Sequence, residues 1–223
     1  MKSAGKAVES SSSVAVLLFA GADVPRPLAG LPLHRVAATA DVDAAVGTCQ
    51  RLVVVGGDDA DLATVLTRLL RADRLDVEVA YVPRRRTAAT GVYRLPTGRR
   101  AARRVRGRPA SRVPLIRDDT GAVIVGRAQW RPAGGDQVIR GEAVVDDTTL
   151  FDGEVTGVRI EPTAAVPGLR ASVDGRMWRR WVPGRAAQLG TTGATVVREG
   201  VAGGRAVRRS TFYRHIEGWL LVR

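Results

Sequence analysis

Near residue 110 the spacing of apolar residues changes, and a chain with such a break is expected to build two different layers. Before it, short apolar runs alternate with helical patterns. Residues 14–19 and 33–36 read as strands, 41–48 as a short helix, 51–55 as a buried parallel strand, and 77–82 as a further strand stopped by Pro83. Leu62, Val65, Leu66, Leu69 and Leu70 recur at the i, i+3, i+4, i+7 and i+8 spacing of one helical face, with Asp58 or Asp59 placed to cap it. Strands that alternate with helices predict a small parallel α/β layer. Beyond residue 110 the runs are short and β-branched, at 113–116, 122–130, 137–145, 155–160, 169–173, 194–198, 206–213 and 218–222, with turns such as DDTG, PAGGD and VAGG between them. The expected fold is therefore α/β plus all-β: a flexible start at 1–13, a small N-terminal parallel α/β lobe at 14–108, and a C-terminal antiparallel β-sandwich lobe at 109–223.

Charge adds a second constraint. The formal net charge is +13, and 33 of the 35 basic residues are arginine. A high-GC genome accounts for part of that bias but not for its clustering. Residues 79–117 contain no acidic residue and twelve arginines, among them Arg84, Arg85, Arg86, Arg99 and Arg103. Such a segment sets up a positive field for an anion. Arg99, Arg100, Arg103 and Arg104 have the spacing of a partly helical connection between the lobes.

Cys49 is the single cysteine, which excludes a disulfide framework and suits a reducing cytoplasm. His34 and His215 are the only imidazoles, so a zinc site of histidine and cysteine is not expected. No apolar stretch approaches the roughly 20 residues that span a bilayer. Residues 14–20, behind Lys2 and Lys6, resemble the core of an export signal but serve equally as a first strand. The expected location is cytoplasmic, with peripheral attachment at the inner membrane face as an option.

Residues 53–62, VVVGGDDADL, form an apolar run, two glycines and a helix start, the outline of a phosphate-binding turn. Behind it stand VAYVPRRRTAATGVYRLP and, at the end, VVREGVAGGRAVRRSTFYRHIEGWLLVR. In this order the segments resemble the diacylglycerol kinase catalytic-domain family, lipid kinases whose nucleotide fold is shared with sphingosine kinases and NAD kinases. Members carry Gly-Gly-Asp-Gly-Thr after a strand, then Pro-x-Gly-Thr-x-Asn-Asp, and an Asp-Gly-Glu near the C-terminus that supplies the catalytic base. The resemblance spans most of the chain and implies an ATP cleft between the lobes, with Gly56, Gly57, Asp58 and Thr87 at the nucleotide.

The motifs depart from that pattern. Asp59 and Ala60 replace the second glycine and the threonine, which puts a side chain and a negative charge beside triphosphate oxygens. Arg84, Arg85 and Arg86 occupy the glycine region of the second motif, and Ala88, Ala89 and Thr90 stand for its polar pair. Asp152, Gly153 and Glu154 match Asp-Gly-Glu in letters but lie far from the end. Glu199, Gly200 and Val201 fit better by distance, and there Val201 replaces the base. ADVPRPLAGLP also leaves no room for the long helix that members carry between their first two strands. Asp-Gly pairs are common hairpin turns besides.

Trp130, Trp178, Trp181 and Trp219 suit core packing of the β lobe. RMWRRW at 176–181 is the exception, a pattern fitted to a lipid headgroup or a partner. The favoured expectation is a catalytically degenerate homologue, without certain cofactors, whose arginines (Arg84, Arg85, Arg86, Arg99, Arg103) bind an anionic ligand, an anionic lipid or membrane surface, or a protein partner. One alternative is an active ATP- and Mg-dependent lipid kinase using Asp58, Asp152 and Glu154. The other is nucleic-acid binding through the arginine-rich helix of residues 99–112.

Overall fold

The computed structural model describes residues 14–47, 49–175 and 180–223. The expected flexible start at 1–13, the last residue of the expected 41–48 helix, and Trp178 with most of RMWRRW lie outside them.

Strands β1 (Val14–Leu18), β2 (Leu33–Arg35), β3 (Arg51–Val55) and β4 (Glu78–Val82) run parallel in the order β2-β1-β3-β4. Alternate residues face opposite sides, and both sides are covered. Leu17, Leu52, Val54, Val79 and Tyr81 pack against α1 (Thr39–Val46), α2 (Asp59–Arg71) and α3 (Ala88–Tyr93). Val16, Leu18, Val53, Val55, Ala80 and Val82 pack against α4 (Gly98–Arg104) and the single 3-10 turn Arg26–Leu28. Coverage of both faces explains why these strands read as unbroken apolar runs. That one turn is the only helical segment between β1 and β2, so the long helix expected of lipid kinases is missing here.

The sheet is completed from beyond residue 109. The C-terminal strand Trp219–Val222 lies parallel to β4, and Ala110–Val113 pairs antiparallel with that strand. Trp219 thus packs in the first lobe, edge-on to Tyr93 with ring centroids 5.3 Å apart, and not in the β lobe where its sequence neighbours place it. Trp130 does fill the β-lobe core and donates its Nε1 hydrogen to Ser210 at 2.9 Å.

The second lobe is antiparallel, eleven strands joined in one sheet among the described residues. Its spine is Ala186–Arg198, which pairs with Ala128–Pro132, Ile139–Val145 and Val207–Arg214. The lobes share a core: Leu115, Val123 and Val125 pack among the helices of the first lobe, and Val123 donates its amide to Thr67 Oγ1 on α2 at 3.0 Å.

The final strand lies inside the first sheet, between β4 and Ala110–Val113, so that sheet is incomplete without it. Leu221 is fully buried there. Leu221→Ala should cost about 2–5 kcal/mol, read by urea unfolding, with fluorescence and circular dichroism giving one midpoint.

Candidate functional site

The loop after β3 owes its shape to packing. Gly56 has a φ of +74°, and a Cβ on it would lie 2.2 Å from Cβ of Ala22; a Cβ on Gly57 would lie 2.8 Å from Cβ of Asp61. These glycines let the chain turn tightly from strand to helix. Asp58 is the N-cap of α2: its Oδ1 accepts from the amides of Ala60 (2.9 Å) and Asp61 (3.0 Å), while Asp61 Oδ2 accepts from the Asp58 amide at 2.9 Å. Such a cap is worth about 1 kcal/mol. The Asp58 carboxylate is thereby committed to the helix.

Asp59, in the first turn of α2, reaches across to the next motif. Its Oδ2 accepts from the Ala89 amide of α3 at 3.0 Å, and its Oδ1 from the Tyr81 hydroxyl at 3.2 Å. Burial, aided by the Asp59 charge, raises the Tyr81 hydroxyl far above its ordinary pKa, so it stays a proton donor. Thr87 caps α3 reciprocally with Thr90, at 3.2 Å and 2.9 Å. Of the amides that helix starts direct at a bound anion, those of Ala60, Asp61, Ala89 and Thr90 are here met by the chain's own oxygens.

The second lobe contributes Glu199, at the tight turn after Ala186–Arg198, with a φ of +47°. Its carboxylate accepts from three consecutive amides, Val125 (2.7 Å), Gly126 (2.9 Å) and Arg127 (3.1 Å). Gly126 marks the meeting point of the lobes. A Cβ there would lie 2.7 Å from both Asp59 Oδ2 and Glu199 Oε2 and 2.9 Å from Ala88 Cβ, so the two carboxylates are near neighbours. Burial pushes the Glu199 carboxyl up to about 7, with Asp59 adding to the rise and the three amides opposing it. Asp59, Thr87, Ala88, Arg127, Gln129, Arg131, Val197, Glu199 and Gly200 line a cavity of about 300 Å³.

The expected site residues separate into groups. Gly56, Gly57, Asp58 and Thr87 come together around the starts of α2 and α3, and Thr87 lines the cavity. Asp152 and Glu154 do not join them. They sit within the strand Thr148–Val155, opposite Glu142 and Arg140, and Glu154 is ion-paired with Arg140. Nor is Asp152-Gly153 a hairpin turn, since the reversal occurs at Asp146, with a φ of +52°. Of the two placements considered for Asp-Gly-Glu, Glu199-Gly200-Val201 is the one beside the cleft, and Val201 itself is 63% exposed.

Arg84, Arg85 and Arg86 are exposed in the loop before α3, and Arg99 and Arg103 are exposed on α4. The Gly98 amide, donating to the Pro83 carbonyl at 2.8 Å, holds the start of α4 beside that loop. The expected helix over 99–112 is confined to Gly98–Arg104, and Arg112 is ion-paired with Glu217. Arg127, Gln129 and Arg131 were not singled out in the sequence. Their alternation along one strand is the signal, and it acquires meaning only once the facing lobe is in place.

Glu199 in the folded chain holds a proton that an unfolded carboxyl near 4.5 has already released. Its contribution to stability therefore falls as pH rises from about 4.5 to about 7, by at most ~3 kcal/mol, and is level above that. Urea unfolding at pH 5 and pH 8 should show a larger loss in the wild type than in Glu199→Gln. Equal losses would contradict the assignment.

No family model matches the sequence, and no curated protein matches it either. Solved structures do. The chain is similar to a diacylglycerol kinase from Bacillus anthracis str. Sterne at a TM-score of 0.72 and 11% identity, over 95% of this chain and 96% of that one. It is similar to an NAD kinase from Archaeoglobus fulgidus in complex with ATP at a TM-score of 0.63 and 11% identity, over 94% and 93%. At this identity the likeness is one of architecture: the chain has the two-lobed fold shared by diacylglycerol kinase-like proteins and NAD kinase.

Proposed function

We propose that this protein is a diacylglycerol kinase-like homologue that has given up phosphoryl transfer and uses its cleft and arginine surface to bind an anionic ligand, lipid or partner. The observation that carries this reading is the Asp59 carboxylate, which accepts the Ala89 amide between the two helix starts. A triphosphate approaching those starts meets a fixed negative charge and donors already in use. At about 4 Å and an effective dielectric of about 20, each added unit charge repels by ~4 kcal/mol. Val201, in place of the base, has no group to take a proton from a lipid hydroxyl.

The arginines supply the opposite property. Arg84, Arg85 and Arg86 are exposed without an ion pair among the described residues, and Arg99 and Arg103 extend the same positive region. Guanidinium groups suit phosphate oxygens. No helix among the described residues is long and apolar enough to cross a membrane, so contact with lipid would be made from the surface.

Calorimetric titration with ATP and Mg, alongside a diacylglycerol phosphorylation assay, tests the loss of the nucleotide site. The wild type should give no saturable heat and no product, whereas Asp59→Gly with Ala60→Thr should gain nucleotide binding. Tight binding with turnover by the wild type would overturn the reading. A separate measurement addresses the surface: retention on anionic vesicles should weaken about 100-fold when Arg84, Arg85 and Arg86 are all changed to alanine, at roughly 1 kcal/mol for each charge near the membrane.

A further inference from the structure

The cavity of about 300 Å³ beside Gly126 is lined by both carboxylates and arginines, and neither set neutralises the other. Asp59 and Glu199 sit together, yet every hydrogen bond they accept comes from a neutral donor: the amides of Ala89, Val125, Gly126 and Arg127 and the Tyr81 hydroxyl. Neither is in an ion pair among the described residues, in a chain that carries 33 arginines. Arg127 and Arg131, which line the same cavity, lack a carboxylate partner as well, and Arg131 donates instead to Gln129 Oε1 at 2.6 Å. Gln129 is 9% exposed and lines the cavity with them. Two carboxylates and two arginines that share a cavity without pairing with one another suit a polar ligand that carries both charges.

We propose that this cavity binds a small zwitterion, its ammonium group between Asp59 and Glu199 and its phosphate against Arg131, Arg127 and the Gln129 amide. The inference rests on the reading that nucleotide has been given up, because the ammonium occupies ground that Asp59 denies to a triphosphate. A cation between the carboxylates offsets their mutual repulsion, and the phosphate supplies the anion that Arg127 and Arg131 lack. A divalent metal fits less well. Only two carboxylates converge, and no group of three or more acidic, histidine or cysteine side chains suited to a metal occurs among the described residues. The volume of about 300 Å³ is at the small end of ligand sites, which run from roughly 300 to 1,000 Å³. It accepts a phosphoethanolamine-sized molecule, free or as a lipid headgroup.

Calorimetric titration of the full chain with O-phosphoethanolamine, ethanolamine, inorganic phosphate, magnesium chloride and ATP with Mg tests this. O-Phosphoethanolamine should bind at least tenfold more tightly than ethanolamine or phosphate alone. Asp59→Asn and Arg131→Gln should each weaken it at least tenfold, with thermal unfolding of both variants checked against the wild type. Arg131 is exposed, so its variant keeps the test valid should Asp59→Asn fold poorly. Vesicles with and without phosphatidylethanolamine separate the sources: competition by the headgroup vesicles assigns a lipid, and its absence a free metabolite. Equal binding of either half-molecule, equal binding of magnesium alone, or variants that bind as the wild type does would each overturn the proposal. Should ATP bind tightly, the reading under it fails as well; should neither ATP nor O-phosphoethanolamine bind, only the zwitterion is lost.

Discussion

The Asp59 carboxylate is the contact on which the cleft depends. It begins in the first turn of α2, takes the Ala89 amide of α3, accepts the Tyr81 hydroxyl from β4 and stands beside Glu199 of the opposite lobe. Three elements of the first lobe are thus referred to one pair of oxygens. Removing it leaves the Ala89 amide without that acceptor, a loss of about 1–3 kcal/mol where buried, while the Tyr81 hydroxyl keeps the Gly57 carbonyl at 3.3 Å. The same carboxylate that would repel a phosphate under the proposed reading helps to assemble the cleft.

The second lobe repeats the device. Glu199 holds the three amides of residues 125–127 much as a bound anion would, and Gly126 permits the approach because it has no side chain. Burial, opposed by the three amides and aided a little by the Asp59 charge, raises the Glu199 carboxyl to about 7.

Periodicity made most of the first lobe legible. The i, i+3, i+4 pattern of α2 and the continuous apolar strands β1, β3 and β4 were visible because burial on one or both faces leaves a compositional trace. The cap was narrowed to Asp58 or Asp59, and it is Asp58. What stayed hidden depended on distant partners. The strand Ala186–Arg198 was expected only from residue 194, while the structure carries it from Ala186 as paired strand with an irregularity in register between Gly190 and Ala194. Trp219 looked like a β-lobe residue until the last strand was seen to return to the first sheet. Asp59 was read as a charge repelling phosphate. That it accepts from Ala89 required knowing that residues 59 and 89 are neighbours, which no local pattern states.

The disposition of Arg198 and Glu199 sharpens the charge argument. They are consecutive, and Arg198 turns away from the cleft to pair with Asp118, a fully buried carboxylate that also accepts from Thr120 and Ala122. The chain therefore neutralises a buried carboxylate with arginine where structure alone requires it, because an unpaired one would cost several kcal/mol. One residue further on, it leaves Glu199 and Asp59 with neutral donors although Arg127 and Arg131 border the same cavity. An arginine drawn across would fill the space and close it. Both sets of charge on that cavity are thus left without a partner from the described residues, which is the arrangement the proposed zwitterion would complete.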